Sequence, residues 1–136
     1  GVLINQAYIG ACTGAKLEDL HMAARVLKGR SVASSTRLLI APASTWTTTT
    51  AASDGTLATL TEAGALLLPS GCGACAGYGA GILANDEVCI SSTARNFKGR
   101  MGTSSSKVYL GSPYTVAASA ITGRITDPRN FLRGNA

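Results

Sequence analysis

Val2-Leu3-Ile4-Asn5-Gln6-Ala7-Tyr8-Ile9 opens the chain as an apolar run that breaks at Gly10, and its pairing with the stretch from Lys16 to Ala41 decides the fold. From Lys16 to Lys28 the apolar residues Leu17, Leu20, Ala24 and Leu27 recur at spacings of three and four, while Glu18, Arg25 and Lys28 fall elsewhere, as on an amphipathic helix. Gly29 stands where that helix would stop. A short apolar strand is expected over Thr36 to Ala41, ended by Pro42. Strand, helix and strand in this order describe a parallel αβ unit, so the fold class is α/β with a mostly parallel sheet.

The alternation continues outward from that unit. Ser44 to Ser53 carries five threonines and a Trp, whose propensities favour a strand, whereas its place in the alternation asks for a helix. Gly55 to Ala63 reads as a short helix closed by Gly64, and Ala65 to Leu68 as a strand ended by Pro69. Glu87 to Ser91 and Lys107 to Leu110 are further strands. Tyr114 to Ile121 is an Ala-rich helix preceded by Ser112 and Pro113, a favourable cap and first-turn pair. The tail from Asp127 has the character of a domain exit. Glycines crowd three loops, around Gly10 and Gly14, Gly71 to Gly81, and Gly99 and Gly102, each coming after an expected strand. In an open parallel sheet the ligand crevice lies at the carboxyl ends of the strands, where glycine lets a backbone approach a ligand closely.

The 136 residues fit one domain, and 46% hydrophobic against 14% charged residues describes a chain that must bury a core. The net charge of +5 raises the question of nucleic acid, but the basic residues are scattered with no run of four, and 5% aromatics leave little for base stacking. Spaced arginines suit a small anionic substrate better. No stretch approaches the roughly 20 apolar residues of a membrane span, and no signal-peptide pattern opens the chain, so a cytoplasmic protein is expected.

Four cysteines are present, Cys12, Cys72, Cys75 and Cys89. Cys72 and Cys75 form a C-x-x-C on a Gly-rich loop, a spacing shared by metal clips, redox pairs and chance. A structural zinc site would need four ligands, yet there is no second C-x-x-C, and the only histidine, His21, lies mid-helix. Cys12, on another strand-end loop, makes a plausible third ligand. Three thiolates suit a 4Fe-4S cluster and leave one iron without a protein ligand. Cys89, inside the apolar Val88-Cys89-Ile90, reads as a core residue. Arg95 and Arg100 stand five apart beside a glycine turn; two guanidinium forks suit a dicarboxylate, and the plainer reading is a solvated loop.

Taken together, Ile9-Gly10-Ala11-Cys12-Thr13, Leu17-Glu18-Asp19-Leu20, Cys72-Gly73-Ala74-Cys75, Arg95-Asn96-Phe97-Lys98-Gly99-Arg100-Met101-Gly102, Ser112-Pro113 and Ile125-Thr126-Asp127-Pro128-Arg129 resemble the aconitase superfamily. Within it the chain is most similar to the large subunits of 3-isopropylmalate dehydratase and to homoaconitase and dimethylmalate dehydratase relatives, from about Val2 to Leu132. The resemblance implies a three-layer α/β/α domain, the third of the family's cluster-bearing domains. It implies Cys12, Cys72 and Cys75 as ligands of a 4Fe-4S cluster and Arg95 and Arg100 as holders of substrate carboxylates. The reaction implied is removal of water from a hydroxy acid and its return at the neighbouring carbon.

The same resemblance implies partners. The family's serine base lies in a separate swivelling domain or small subunit, and its histidine and carboxylate pairs lie in preceding domains. Residues 1–136 therefore read as a single domain that is a fragment or one piece of a larger enzyme. Gly14 and Ala94 stand where family members usually carry Asn, and residues 76–81 depart from the usual pattern, which bears on substrate choice. Two other readings stay open, a non-catalytic module binding an anion or a protein partner, and a thiol-redox protein using Cys72 and Cys75.

Overall fold

A computed structural model describes residues 2–10, 17–42, 44–68, 87–92 and 107–132. Five strands form one parallel sheet: β1 (Gln6–Ile9), β2 (Arg37–Ile40), β3 (Leu66–Leu67), β4 (Val88–Ser91) and β5 (Lys107–Leu110), in the order β3-β2-β1-β4-β5. The helices are α1 (Leu17–Leu27), α2 (Thr45–Ser53), α3 (Thr56–Glu62), α4 (Pro113–Thr122) and the single turn α5 (Arg129–Leu132). The chain runs outward from β1 through β2 to β3, then crosses to the other side of β1 for β4 and β5.

The central strands are apolar because both of their faces are covered. On one face Ala7, Ile9, Leu38, Ile40 and Ile90 pack with Leu20, Ala23, Val26 and Leu27 of α1, Ala51 of α2, Leu60 of α3 and Val116 to Ala118 of α4. Leu17 and Ala24, expected in the apolar stripe of α1, lie at its margin, and the stripe is completed by Ala23 and Val26. On the other face Tyr8, Leu39, Ala41 and Cys89 form a second buried cluster. The described helices contribute to the first core, and the helical layer expected over the second face has no counterpart among the described residues.

The opening apolar run divides in two. Leu3 bridges antiparallel to Arg124, Ile4 N–H donates to the Gly123 carbonyl at 3.0 Å, and the strand proper begins only at Gln6. Between the halves, Asn5 exchanges backbone and side-chain hydrogen bonds with Val88, both at 2.8 Å.

Within Ser44 to Ser53 the chain forms a helix from Thr45, so the alternation prevails over threonine's strand propensity. Ser44 caps it, its hydroxyl accepting from Thr47 N–H at 3.1 Å, and Thr47 and Ala51, one turn apart, are its buried residues. Ser112 caps α4 in the same way through Thr115 N–H at 3.2 Å, with Pro113 in the first turn, and Gly123 closes the helix at φ 79°. The tail does not leave the domain at Asp127. It turns back, and the Arg30 guanidinium sits 5.0 Å over the Phe131 ring while donating to the Val26 carbonyl at 2.7 Å.

Candidate active site at the carboxyl edge of the sheet

Parallel pairing has a direct consequence for the site. All five strands end at one edge, so the residues after β1, after β3 and after β4 leave the sheet from that edge. The first of these segments bears Cys12, the second Cys72 and Cys75, and the third Arg95 and Arg100. β1 and β4 are neighbours, with Tyr8 opposite Ser91, and they flank the point where the strand order reverses. Outside the carboxyl ends at such a point the two connections diverge and leave a crevice, the usual ligand position in open α/β sheets. Cys12, Cys72, Cys75, Arg95 and Arg100 themselves lie outside the described residues, as do Gly14, Ala94 and residues 76–81.

The fourth cysteine is described. Cys89 is fully buried in the middle of β4, accepts a long contact from Gln6 Nε2 at 3.8 Å, and donates from Sγ to the Ile90 carbonyl at 3.4 Å. Burial pushes its thiol up to about 12, because an apolar surround penalises the thiolate. Metals are bound by the thiolate form. Cys89 is therefore a core residue, as its apolar neighbours in the sequence imply.

Among the described residues, His21, Asp54 and Arg37 are engaged in contacts within the fold. His21 is exposed on α1, with Nε2 2.8 Å from Asp54 Oδ2. Asp54 is held down at about 2, first by the Thr56 hydroxyl at 2.5 Å and then by His21. Arg37, one of the scattered basic residues that suggested an anionic ligand, is engaged instead. Its guanidinium donates to both carboxylate oxygens of Glu87, at 3.0 and 3.1 Å, and to Oε1 of the buried Gln6. This network braces β1, β2 and the start of β4 at the amino edge, opposite the site. A glutamine within an apolar run was the one sequence signal for it. Among the described residues, no group of three or more His, Cys, Asp or Glu side chains could hold a metal ion, and no helix is long and apolar enough to cross a membrane.

Comparison with known proteins meets this geometry at the level of the whole chain. The model of the Aconitase family (aconitate hydratase) matches residues 1–123. The chain belongs to the aconitase family. Among its relatives, the 3-isopropylmalate dehydratase large subunit 2 of Archaeoglobus fulgidus is 51% identical over 132 residues, 97% of this chain and 32% of that protein. The homoaconitase large subunit of Thermus thermophilus is 51% identical over 131 residues, covering 96% of this chain and 31% of its own length. The 3-isopropylmalate dehydratase large subunit of Herpetosiphon aurantiacus is 50% identical over 131 residues, with the same coverage. This aconitase-family chain thus spans about a third of the length of the curated relatives it matches.

Proposed function

We propose that residues 1–136 form one aconitase-type domain of a larger hydro-lyase, of the 3-isopropylmalate dehydratase or homoaconitase type, acting on a hydroxy di- or tricarboxylic acid. Cys12, Cys72 and Cys75 hold a 4Fe-4S cluster, and Arg95 and Arg100 hold substrate carboxylates. The observation that carries this reading is the sheet: the segments bearing all five residues depart from one edge, two of them at the reversal of strand order. The donor set fits the cofactor. With Cys89 protonated in the core, three cysteines remain, the number that leaves one iron of a 4Fe-4S cluster without a protein ligand.

When bound, such a cluster supplies a Lewis acid for a substrate hydroxyl. The chain's own part is binding and orientation. Each guanidinium can grip a carboxylate through two parallel hydrogen bonds, so Arg95 and Arg100 together fix both ends of a diacid and limit its rotation. The base that takes the carbon-bound proton and the donor to the departing hydroxyl come from the remaining domains and a small swivelling subunit, a reading supported by the chain's span of about a third of its relatives' length. The cytoplasm suits this chemistry, since thiols stay reduced there.

Anaerobic reconstitution with iron and sulfide tests the reading. The parent chain should take on thiolate-to-iron absorbance, and Cys12→Ser, Cys72→Ser and Cys75→Ser should each lose most of it. A Cys72→Ser chain as strongly coloured as the parent sinks the ligand assignment. The Gly14 and Ala94 departures favour a second reading, an anion-binding module without catalysis. Titration of the cluster-loaded chain with a 2-hydroxy dicarboxylate separates the two: binding abolished by Arg100→Ala supports a substrate site, and no binding in the presence of a complete cluster supports the module.

A further inference from the structure

We infer that Tyr8 is a positioning residue for the chain segment that carries Cys12, acting through Gly10; this rests on the function proposed above. Tyr8 is fully buried on the sheet face away from the described helices, in a cluster with Leu39, Ala41 and Cys89. Gly10 lies two residues further along the same strand direction, hence on the same face, and is the last described residue before residues 11–16. A Cβ built on Gly10 would lie 2.6 Å from Tyr8 Cζ and 2.7 Å from the Tyr8 hydroxyl oxygen, far inside van der Waals contact. The phenol thus leans along β1 toward the carboxyl edge and fills the volume that a side chain at position 10 would occupy.

The reason for a glycine at position 10 is therefore space. Gly29, Gly55, Gly64 and Gly123 have the positive φ that favours glycine, and Gly10 does not. An exposed tyrosine would swing aside for an added methyl at little cost. Tyr8 is enclosed, its ring is rigid beyond two torsions, and a close-packed core passes a displacement on to its neighbours. An added Cβ would push instead on the backbone of Gly10, two residues before Cys12 in the sequence. A cluster held by three thiolates from two separate segments tolerates little displacement of either segment, so the phenol in the space of a position-10 side chain constrains the backbone that leads to the first ligand.

Four chains decide the matter: the parent, Gly10→Ala, Tyr8→Leu, and the double variant. Each is reconstituted anaerobically, bound iron and sulfide are measured per folded chain together with the electron paramagnetic resonance of the reduced cluster, and thermal unfolding of the metal-free chains is recorded in parallel. Gly10→Ala should bind iron about 10-fold more weakly, the scale seen when residues supporting metal ligands are changed. The double variant should recover to near the Tyr8→Leu level, since removing the ring makes room for the methyl. A Gly10→Ala chain that loads like the parent overturns the inference, as does a double variant no better than Gly10→Ala. If Gly10→Ala does not fold, the double variant still decides: folded and loaded supports the inference, unfolded overturns it. A parent chain that takes up no iron overturns the proposed function and this inference with it, an outcome distinct from the others.

Discussion

At the scale of single residues, two titratable groups report on their surroundings in opposite directions. The Cys89 thiol keeps its proton in the fold, while the unfolded chain releases it near the ordinary value of 9.0. Between there and about 12 the folded state holds the extra proton, so this contribution is whole below pH 9 and is lost as pH rises through that window. We predict that stability of the parent falls more steeply above pH 9 than that of Cys89→Ala, by at most about 1.4 kcal/mol per pH unit, in denaturant titrations. Asp54 behaves in the contrary sense. Its carboxylate is favoured by Thr56 and then His21, so that contribution is present above the ordinary 3.8 and disappears as pH falls toward 2. Acid unfolding monitored by circular dichroism should show Asp54→Asn with a shallower loss of stability than the parent between pH 4 and 2.

Among the elements, α2 is the one whose residues contradict its conformation. Threonine loses side-chain freedom in a helix, and four consecutive threonines, Thr47 to Thr50, would by themselves prefer extended backbone. The Ser44 cap and the burial of Thr47 and Ala51 outweigh that preference. Two opposite outcomes are expected. Ser44→Ala should cost about 1 kcal/mol by leaving the Thr47 N–H without its acceptor, whereas Thr49→Ala, at an exposed position, should stabilise by about 0.5 kcal/mol through propensity alone. Thermal unfolding of both variants checks the pair, and a Thr49→Ala chain less stable than the parent would mean that its hydroxyl has a role in the helix. The strands and α4 were far more legible. β5 falls where the apolar run Lys107 to Leu110 lies, and Ser112-Pro113 marks the start of α4, because cap and strand signals are local. The opening run misled because apolar character alone does not record that Leu3 pairs with Arg124 and not with the sheet.

For the molecule as a whole, the core and the sheet edges make different demands. Ile40 is fully buried on β2, an interior strand beside the central β1, beneath the helices, and Ile40→Ala should cost about 2 to 5 kcal/mol, a range of the same order as the ~5–15 kcal/mol that holds a typical domain together. Equilibrium urea unfolding gives the comparison. The edges are less covered. Leu66 and Leu67 on β3 are 56% and 41% exposed, and Leu110 on β5 is 56% exposed. Unpaired apolar edge strands template association. The isolated chain should therefore self-associate with rising concentration, and Leu66→Lys should suppress this in light scattering; association unchanged by that substitution would locate the contact elsewhere.

The residue pattern alone determined the α/β class and the αβ alternation, because side-chain periodicity and helix caps are properties of neighbouring positions. The five residues proposed to carry the chemistry came from the resemblance to the aconitase superfamily, since spacing alone left a metal clip, a redox pair and a solvated loop open. Tertiary structure decided the rest. That β1 and β4 adjoin, so that the strand order reverses between the two strands that precede Cys12 and the arginines in the chain, depends on pairing between residues more than eighty positions apart. The phenol of Tyr8 over Gly10, and Arg37 turned to Glu87 and Gln6, are likewise contacts of packing, set by which side chains the closed core forces into the same space.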